Sequence, residues 1–156
     1  MGKVTSSIEI SASPEKVFDF VIDMKKMNDV CKEYYVGKWT SEGPIELGST
    51  ANYVGVHKYN KGEEWNAEVT EFVKNKSLTM FLKGANEHSH DQTNYHAFEP
   101  SSKGTKFTIS MEYEVPSIGG KLLQALGGKR MVEGWLAKIA ENLKNAIEIS
   151  KSNLTF

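Results

Sequence analysis

The sequence predicts an α+β domain in which a curved antiparallel sheet of seven strands packs on one long C-terminal helix. Three observations support this fold class. A strand with alternating apolar residues opens the chain, six strand-like segments separated by turn signals follow two short helical segments, and an amphipathic helix comes last. Short loops favour antiparallel pairing of neighbouring strands. A sheet with one apolar face must bury that face against another element. We therefore expect the helix to lie on that face.

The first strand is predicted over residues 3–11, because apolar and polar side chains alternate from Val4 to Ile10. A helix is expected to begin directly afterwards. Ser13 can accept a hydrogen bond from a free backbone N–H, and Pro14 suits the first helical position. A second short helix is predicted over 24–32, with four side chains facing inward: Met24, Met27, Val30 and Cys31.

Turn signals then divide the middle of the chain. Pairs such as Gly43-Pro44 and Asn75-Lys76 recur at fairly regular spacing and are typical of loops between strands. The last of these strands is the clearest, since every second residue from Phe107 to Val115 is apolar and Pro116 ends it. The six strands are predicted at 34–41, 48–59, 63–73, 77–85, 89–99 and 104–115.

The C-terminal helix is predicted over residues 129–150, because apolar residues recur at steps of three and four from Val132 to Ile147. Paired glycines before it favour a short helical segment or a kink around Lys121–Leu126. The leucines of that segment are expected to form an apolar rim. A sheet that curls as it twists leaves a space against a single helix, so we expect a cavity between the two.

Composition limits the classes of function. The chain has 156 residues, 39% of them hydrophobic, and a net charge of −1, which predicts a single domain over 1–156 with no electrostatic case for a nucleic-acid partner. No apolar run has the roughly 18 residues of a membrane span. Cys31 is the single cysteine, and His88 and His90 lack a further ligand at clear spacing, so no metal site is predicted. We expect a soluble cytoplasmic protein without stable membrane insertion or a cofactor.

A family resemblance rests on several motifs. Val4–Ile10 followed by Ala12-Ser13-Pro14-Glu15-Lys16-Val17-Phe18 resembles the opening of the polyketide cyclase/dehydrase and lipid-transport family, part of the START-like (SRPBCC, helix-grip) superfamily. Three later segments agree in the same order: Val69–Phe72, Phe98–Thr105, and Leu143-Lys144 with Glu148. The resemblance covers nearly the whole chain and implies the helix-grip fold. Members of that family bind hydrophobic small molecules, and some are cyclases or dehydratases, so fold transfers better than function.

Strand 89–99 carries the polar residues of greatest interest. If Phe98 faces inward, Asn94 and His96 do too, since side chains alternate along a strand. The next strand is expected to place Met111 and Tyr113 inward. A histidine near a phenol in an apolar cavity could polarise a ligand carbonyl or move a proton. Alternatively, His96 only makes a hydrogen bond in the cavity wall.

The leading hypothesis is binding or transport of a hydrophobic or aromatic small molecule, such as a lipid, an isoprenoid or a polyketide-like compound. Trp135 on the long helix could stack on a flat ligand or pack in the core. One alternative is a cyclase or dehydratase with His96 and Tyr113 as catalytic candidates. Another is a protein-interaction module that exposes Trp39 or Tyr35 on the outer face of the sheet. The predicted ligand-binding residues are Tyr53, Asn94, His96, Met111, Tyr113, Trp135 and Ile139.

Overall fold

Seven antiparallel strands form one curled sheet in the computed structural model of the chain. The structure describes residues 2–114 and 127–153, with the backbone only for 151–153. Within these residues the predicted α+β fold is confirmed. The strands are β1 (Gly2–Ile10), β2 (Tyr35–Trp39), β3 (Thr50–Gly55), β4 (Glu64–Val73), β5 (Ser77–Gly84), β6 (Gln92–Ser101) and β7 (Gly104–Tyr113).

Three helices accompany the sheet in the described residues: α1 (Pro14–Ile22), α2 (Met24–Val30) and α3 (Lys129–Asn153). The side chain of Ser13 accepts a hydrogen bond from the backbone N–H of Lys16, as the sequence predicts. Asp23 ends α1 and caps α2, because its carboxylate accepts from the Lys26 N–H at 3.2 Å. None of these helices is both long and apolar enough to cross a membrane.

The strand order is β1-β7-β6-β5-β4-β3-β2. Strands β2 to β7 therefore form a meander, and β1 pairs with the last strand of the chain. Helix α3 lies against β1 and β7. Its buried stripe, formed by Leu136, Ile139 and Leu143, joins the core that includes Val4 and Phe107. The long helix thus covers the concave face, as the apolar periodicity predicts.

An aromatic cluster fills one end of this concave face. The ring of Phe18 on α1 packs edge-on against Phe72, at 5.4 Å between centroids, and against Phe98, at 5.2 Å. Phe98 in turn contacts Phe107 at 5.5 Å. Large rigid rings therefore occupy the space next to α1, whereas unbranched side chains of α2 border the rest. This division determines where the cavity described below can form.

Strand β3 is shorter than predicted, ending at Gly55 instead of residue 59. The reason is the buried side chain of Asn60. Its Oδ1 accepts from the His57 N–H at 2.8 Å, and its Nδ2 donates to the Tyr34 carbonyl at 3.1 Å. These bonds fold residues 56–60 into a turn, because they occupy backbone groups that a continued strand would pair.

Strand β6 begins at Gln92 instead of residue 89. Ser89 and Asp91 bind neighbouring backbone through their side chains: Ser89 Oγ accepts from the Glu64 N–H at 2.7 Å, and Asp91 Oδ1 accepts from the Gly84 N–H at 2.9 Å. The remaining strand and helix ends lie within about three residues of the predicted ones. The predicted segment at Lys121–Leu126, with its leucine rim, lies outside the described residues.

Replacing Gly104 by alanine is expected to destabilise the fold markedly. Gly104 has a φ of +135°, and a Cβ there would lie 2.7 Å from the carbonyl oxygens of both Ile10 and Ala12. The backbone strain alone costs about 1–3 kcal/mol, and the clash with two fixed carbonyls adds to it. Urea unfolding measures the loss. Gly43→Ala is the matched control, because Gly43 has a φ of +83° with nothing within 4 Å of its Cβ position. Equal losses in the two variants would show that the clash is absent.

Candidate functional site

A cavity of about 80 Å³ lies between the concave face of the sheet and the three helices. A single buried water needs roughly 10–15 Å³ on this measure. The space therefore holds several waters or one small apolar group. Its walls come from α1, α2 and α3 and from every strand except β1 and β4. The site is thus assembled from distant parts of the sequence by the curvature of the sheet.

Methionines form much of the cavity wall. Met24 and Met27 project from α2, Met80 from β5 and Met111 from β7. The prediction that the two α2 methionines and Cys31 face inward is confirmed. Methionine side chains are unbranched and change rotamer readily, so they adapt to ligands of different shape. The cavity can therefore widen without movement of the backbone.

One polar strip crosses this apolar wall. Gln92, Asn94 and His96 alternate along β6 and all line the cavity, and Phe98 continues the same face as a fully buried ring. The prediction that Asn94 and His96 share the inward face with Phe98 is confirmed. Successive members of the strip are about 6.6 Å apart along the strand. The strip gives an otherwise apolar cavity a row of hydrogen-bonding groups.

The imidazole of His96 has a defined tautomer. Its Nδ1 lies 3.1 Å from the carbonyl oxygen of Leu78, which can only accept, so Nδ1 carries the proton. Burial lowers the pKa of His96 to about 4, although the bond to Leu78 opposes that shift. The ring is therefore neutral at pH 7. Its Nε2 is left as a hydrogen-bond acceptor in the cavity wall.

Two amide atoms of the strip lack hydrogen-bond partners among the described residues. They are Asn94 Oδ1 and Gln92 Nε2, and both are buried. A third such atom, Asn75 Oδ1, belongs to the turn between β4 and β5. Leaving a buried polar atom unpaired costs about 1–3 kcal/mol. Asn28, in the same cavity wall, shows the usual arrangement, in which both ends of the amide are hydrogen-bonded. Its Nδ2 donates to the Gly37 carbonyl at 2.9 Å, and its Oδ1 accepts from the Gly37 N–H at 2.8 Å.

The structure separates the predicted ligand-binding residues into two groups. Tyr53 and Ile139 line the cavity together with Asn94, His96 and Met111. The Tyr53 hydroxyl lies 3.8 Å from the Met80 sulfur, and burial raises the pKa of this phenol above its ordinary value. The other group, Tyr113 and Trp135, borders an adjoining cleft of about 170 Å³.

The proposed pair of His96 and Tyr113 is not brought together. In the β6–β7 register His96 lies opposite Ile109, whereas Tyr113 lies opposite Gln92. Four strand residues correspond to about 13 Å. The inward face of both strands is as expected, but the two functional groups border different spaces.

The adjoining cleft shares Tyr35, Gln92 and Met111 with the cavity, so these side chains lie between the two spaces. Trp135 does not line the inner cavity. It stacks on Tyr34 at 5.1 Å between ring centroids and contacts His57 at 4.7 Å. These rings pack the start of α3 against the loop before β2 and the loop after β3.

Two residues of the site are missing from the predicted ligand-binding residues. Gln92 shares a strand face with Asn94 and His96, as the alternation along 89–99 indicates, but it is not among the predicted residues. Glu63 borders the cleft, where burial raises its pKa to about 7. No local pattern indicates this, because the burial of Glu63 depends on tertiary packing.

The expectation that Trp39 or Tyr35 is exposed on the outer face of the sheet is wrong. Both side chains line the cavity. The indole N–H of Trp39 donates to the Ile22 carbonyl at 3.1 Å, which holds the ring under the end of α1. Alternation in the short strand β2 does not show which of its two faces points inward. The packing of α1 and α2 against the strand determines the inward face.

Asn94→Leu is expected to raise the free energy of unfolding by about 1 kcal/mol, because it removes a buried acceptor that has no partner and adds apolar contacts. Asn28→Leu, in the same cavity, is expected to lower it by about 1–3 kcal/mol, since it leaves the Gly37 backbone groups unpaired. Urea unfolding of both variants measures the two effects. A loss of stability in Asn94→Leu as large as that in Asn28→Leu would mean that the Asn94 amide is hydrogen-bonded after all.

Comparison with known proteins agrees with this architecture. The solved structure of TTHA0849 from Thermus thermophilus has a TM-score of 0.77 at 20% identity, over 96% of this chain and 99% of that one. Ms6760 from Mycobacterium smegmatis has a TM-score of 0.69 at 14% identity, over 95% and 92% of the two chains. At these identities the similarity shows the fold alone. No curated protein matches the sequence.

The family comparison goes further, because it covers most of the chain. Residues 1–148 match the family model described as polyketide cyclase / dehydrase and lipid transport. That range includes all seven strands, both short helices and most of α3. The chain therefore belongs to the polyketide cyclase/dehydrase and lipid-transport family.

Proposed function

We propose that the chain binds or transports a hydrophobic small molecule in the cavity between the sheet and α3. The observation that carries this proposal is an internal cavity with apolar walls and one polar strip. Sites of this kind bind small molecules through apolar contact and orient them through a few polar groups. Burial of apolar ligand surface supplies about 25 cal/mol per Å², before the costs of ordering the ligand are subtracted.

The size of the cavity limits its ligands. An engineered cavity of about 150 Å³ accommodates benzene, so a cavity of about 80 Å³ admits an aromatic ring only when its walls yield. Four methionines provide that adjustment. A single-ring or short-chain ligand therefore fits with small side-chain movements. A lipid or a polycyclic compound would also have to extend into the adjoining cleft past Met111 and Tyr35.

A cyclase or dehydratase activity is the second candidate, and a buried imidazole with an acceptor nitrogen favours it. Two observations make it the weaker one. A pKa of about 4 makes His96 a weak base at neutral pH. Tyr113, which would serve as its partner, borders a different space. Binding needs only the shape and polarity of the cavity, so the geometry supports it better.

Filling the cavity is expected to abolish binding. Thermal unfolding against fatty acids, isoprenoids, quinones, flavonoids and polyketide-like aromatics identifies a ligand, which at 100 times its Kd adds about 2.7 kcal/mol of stability. This raises the Tm by roughly 5–10 °C for a chain of this size. In Ile139→Phe that rise should disappear, because the larger side chain occupies the cavity.

Ile149→Phe is the matched control, since it places the same substitution on an exposed position of the same helix. It should retain the full rise in Tm. A ligand that stabilises Ile139→Phe as strongly as the unmodified chain must bind outside the cavity, which would refute the proposed site.

A further inference from the structure

We infer that the cavity selects an uncharged ligand with a hydroxyl group, a phenol or an alcohol, over the ionised carboxylate on the same carbon skeleton. This inference rests on the proposed function, because it concerns the same cavity. It is carried by the lack of a counter-charge among the described residues of the cavity wall and by the direction of the hydrogen bonds that the polar strip can make.

The described residues of the cavity wall carry no charge at pH 7. Among the described residues that line it there is no Asp, Glu, Lys or Arg. Its titratable groups are uncharged at pH 7, since burial raises the pKa of Cys31 to about 12, raises those of Tyr35 and Tyr53, and lowers that of His96. A carboxylate that enters this space loses its hydration and meets no cation in the described part of the wall. Even after relaxation, that loss costs several kcal/mol.

The polar strip also contains two acceptors, His96 Nε2 and Asn94 Oδ1, that a carboxylate cannot satisfy. The position of His96 Nδ1 at the Leu78 carbonyl leaves Nε2 as a fixed acceptor, which only a ligand N–H or O–H can satisfy. A carboxylate has acceptors alone. A hydroxyl can donate, so it can satisfy His96 Nε2 or the unpaired Oδ1 of Asn94, the neighbouring member of the strip. The hydroxyl therefore matches the strip, and the carboxylate leaves Nε2 unpaired.

The amide of Asn94, with its unpaired Oδ1, lies beside two methionines of the cavity wall. Asn94 lies between Met80 on β5 and Met111 on β7 in the strand register. Asn94 Oδ1 and Gln92 Nε2 are both buried. A ligand hydroxyl that displaces one methionine side chain and donates to Asn94 Oδ1 gains a hydrogen bond that the fold itself does not make. Binding of a hydroxyl there thus satisfies an amide atom that the fold leaves unpaired.

Three single-ring compounds test the selection: 4-propylphenol, propylbenzene and 4-propylbenzoate, each titrated calorimetrically into the whole chain at pH 7.5. The phenol should bind about fivefold more tightly than the hydrocarbon, as expected for one added hydrogen bond. It should bind at least about tenfold more tightly than the benzoate, because the anion is desolvated without a partner.

His96→Phe should remove the advantage of the phenol over propylbenzene, since the ring remains but its acceptor is lost. His88→Phe, the same change at an exposed site, should preserve that advantage. If His96→Phe fails to fold by circular dichroism, Asn94→Leu serves as the second variant. It should reduce the same advantage.

The outcomes separate the two proposals. Binding of none of the three compounds would overturn the selection, and the proposed function falls with it if the thermal-unfolding panel also yields no ligand. Equal binding of phenol and hydrocarbon, or tighter binding of the benzoate, would leave a binding cavity but refute the selection for a hydroxyl. An unchanged preference in His96→Phe or, where that variant is unfolded, in Asn94→Leu would refute the role of the polar strip.

Discussion

The packing of one helix against a curled sheet is the constraint on which the rest of the structure depends. Helix α3 places aliphatic side chains, Leu136, Ile139 and Leu143, on the concave face, and these reach only part of the enclosed space. The aromatic cluster around Phe18 fills the end next to α1. What remains is bordered by methionines and by the polar strip on β6. The cavity is thus a consequence of sheet curvature and of the choice of side chains around it.

The unpaired amide atoms in the cavity wall lower the free energy of unfolding. Domains of this kind are stable by about 5–15 kcal/mol in total, and each unpaired buried amide atom costs about 1–3 kcal/mol of that. Asn28 shows that the same fold can satisfy a buried amide completely. The unpaired atoms of Asn94 and Gln92 therefore stand out as local departures from good packing in the cavity wall. Departures of this kind are expected where a site serves a ligand.

Much of the fold could be predicted because its signals are local. Alternation along β7, the Ser13 cap of α1 and the apolar stripe of α3 each follow from neighbouring residues. The inward direction of Asn94 and His96 followed from Phe98 by the same alternation. The separation of His96 from Tyr113 does not follow from alternation, because the distance between them is set by the pairing register of the β6–β7 hairpin. The burial of Trp39 and Glu63 depends on packing between distant segments, which no local pattern encodes.

The most direct test of the cavity as the binding site is NMR of methionine methyl groups during titration with 4-propylphenol. Met24, Met27, Met80 and Met111 line the cavity, whereas Met131 lies on the exposed side of α3 and provides an internal control. The account predicts that the four cavity methyl signals shift together with one Kd, while the Met131 signal stays in place. Shifts confined to Met131, or no shift of the four signals at saturating ligand, would contradict it.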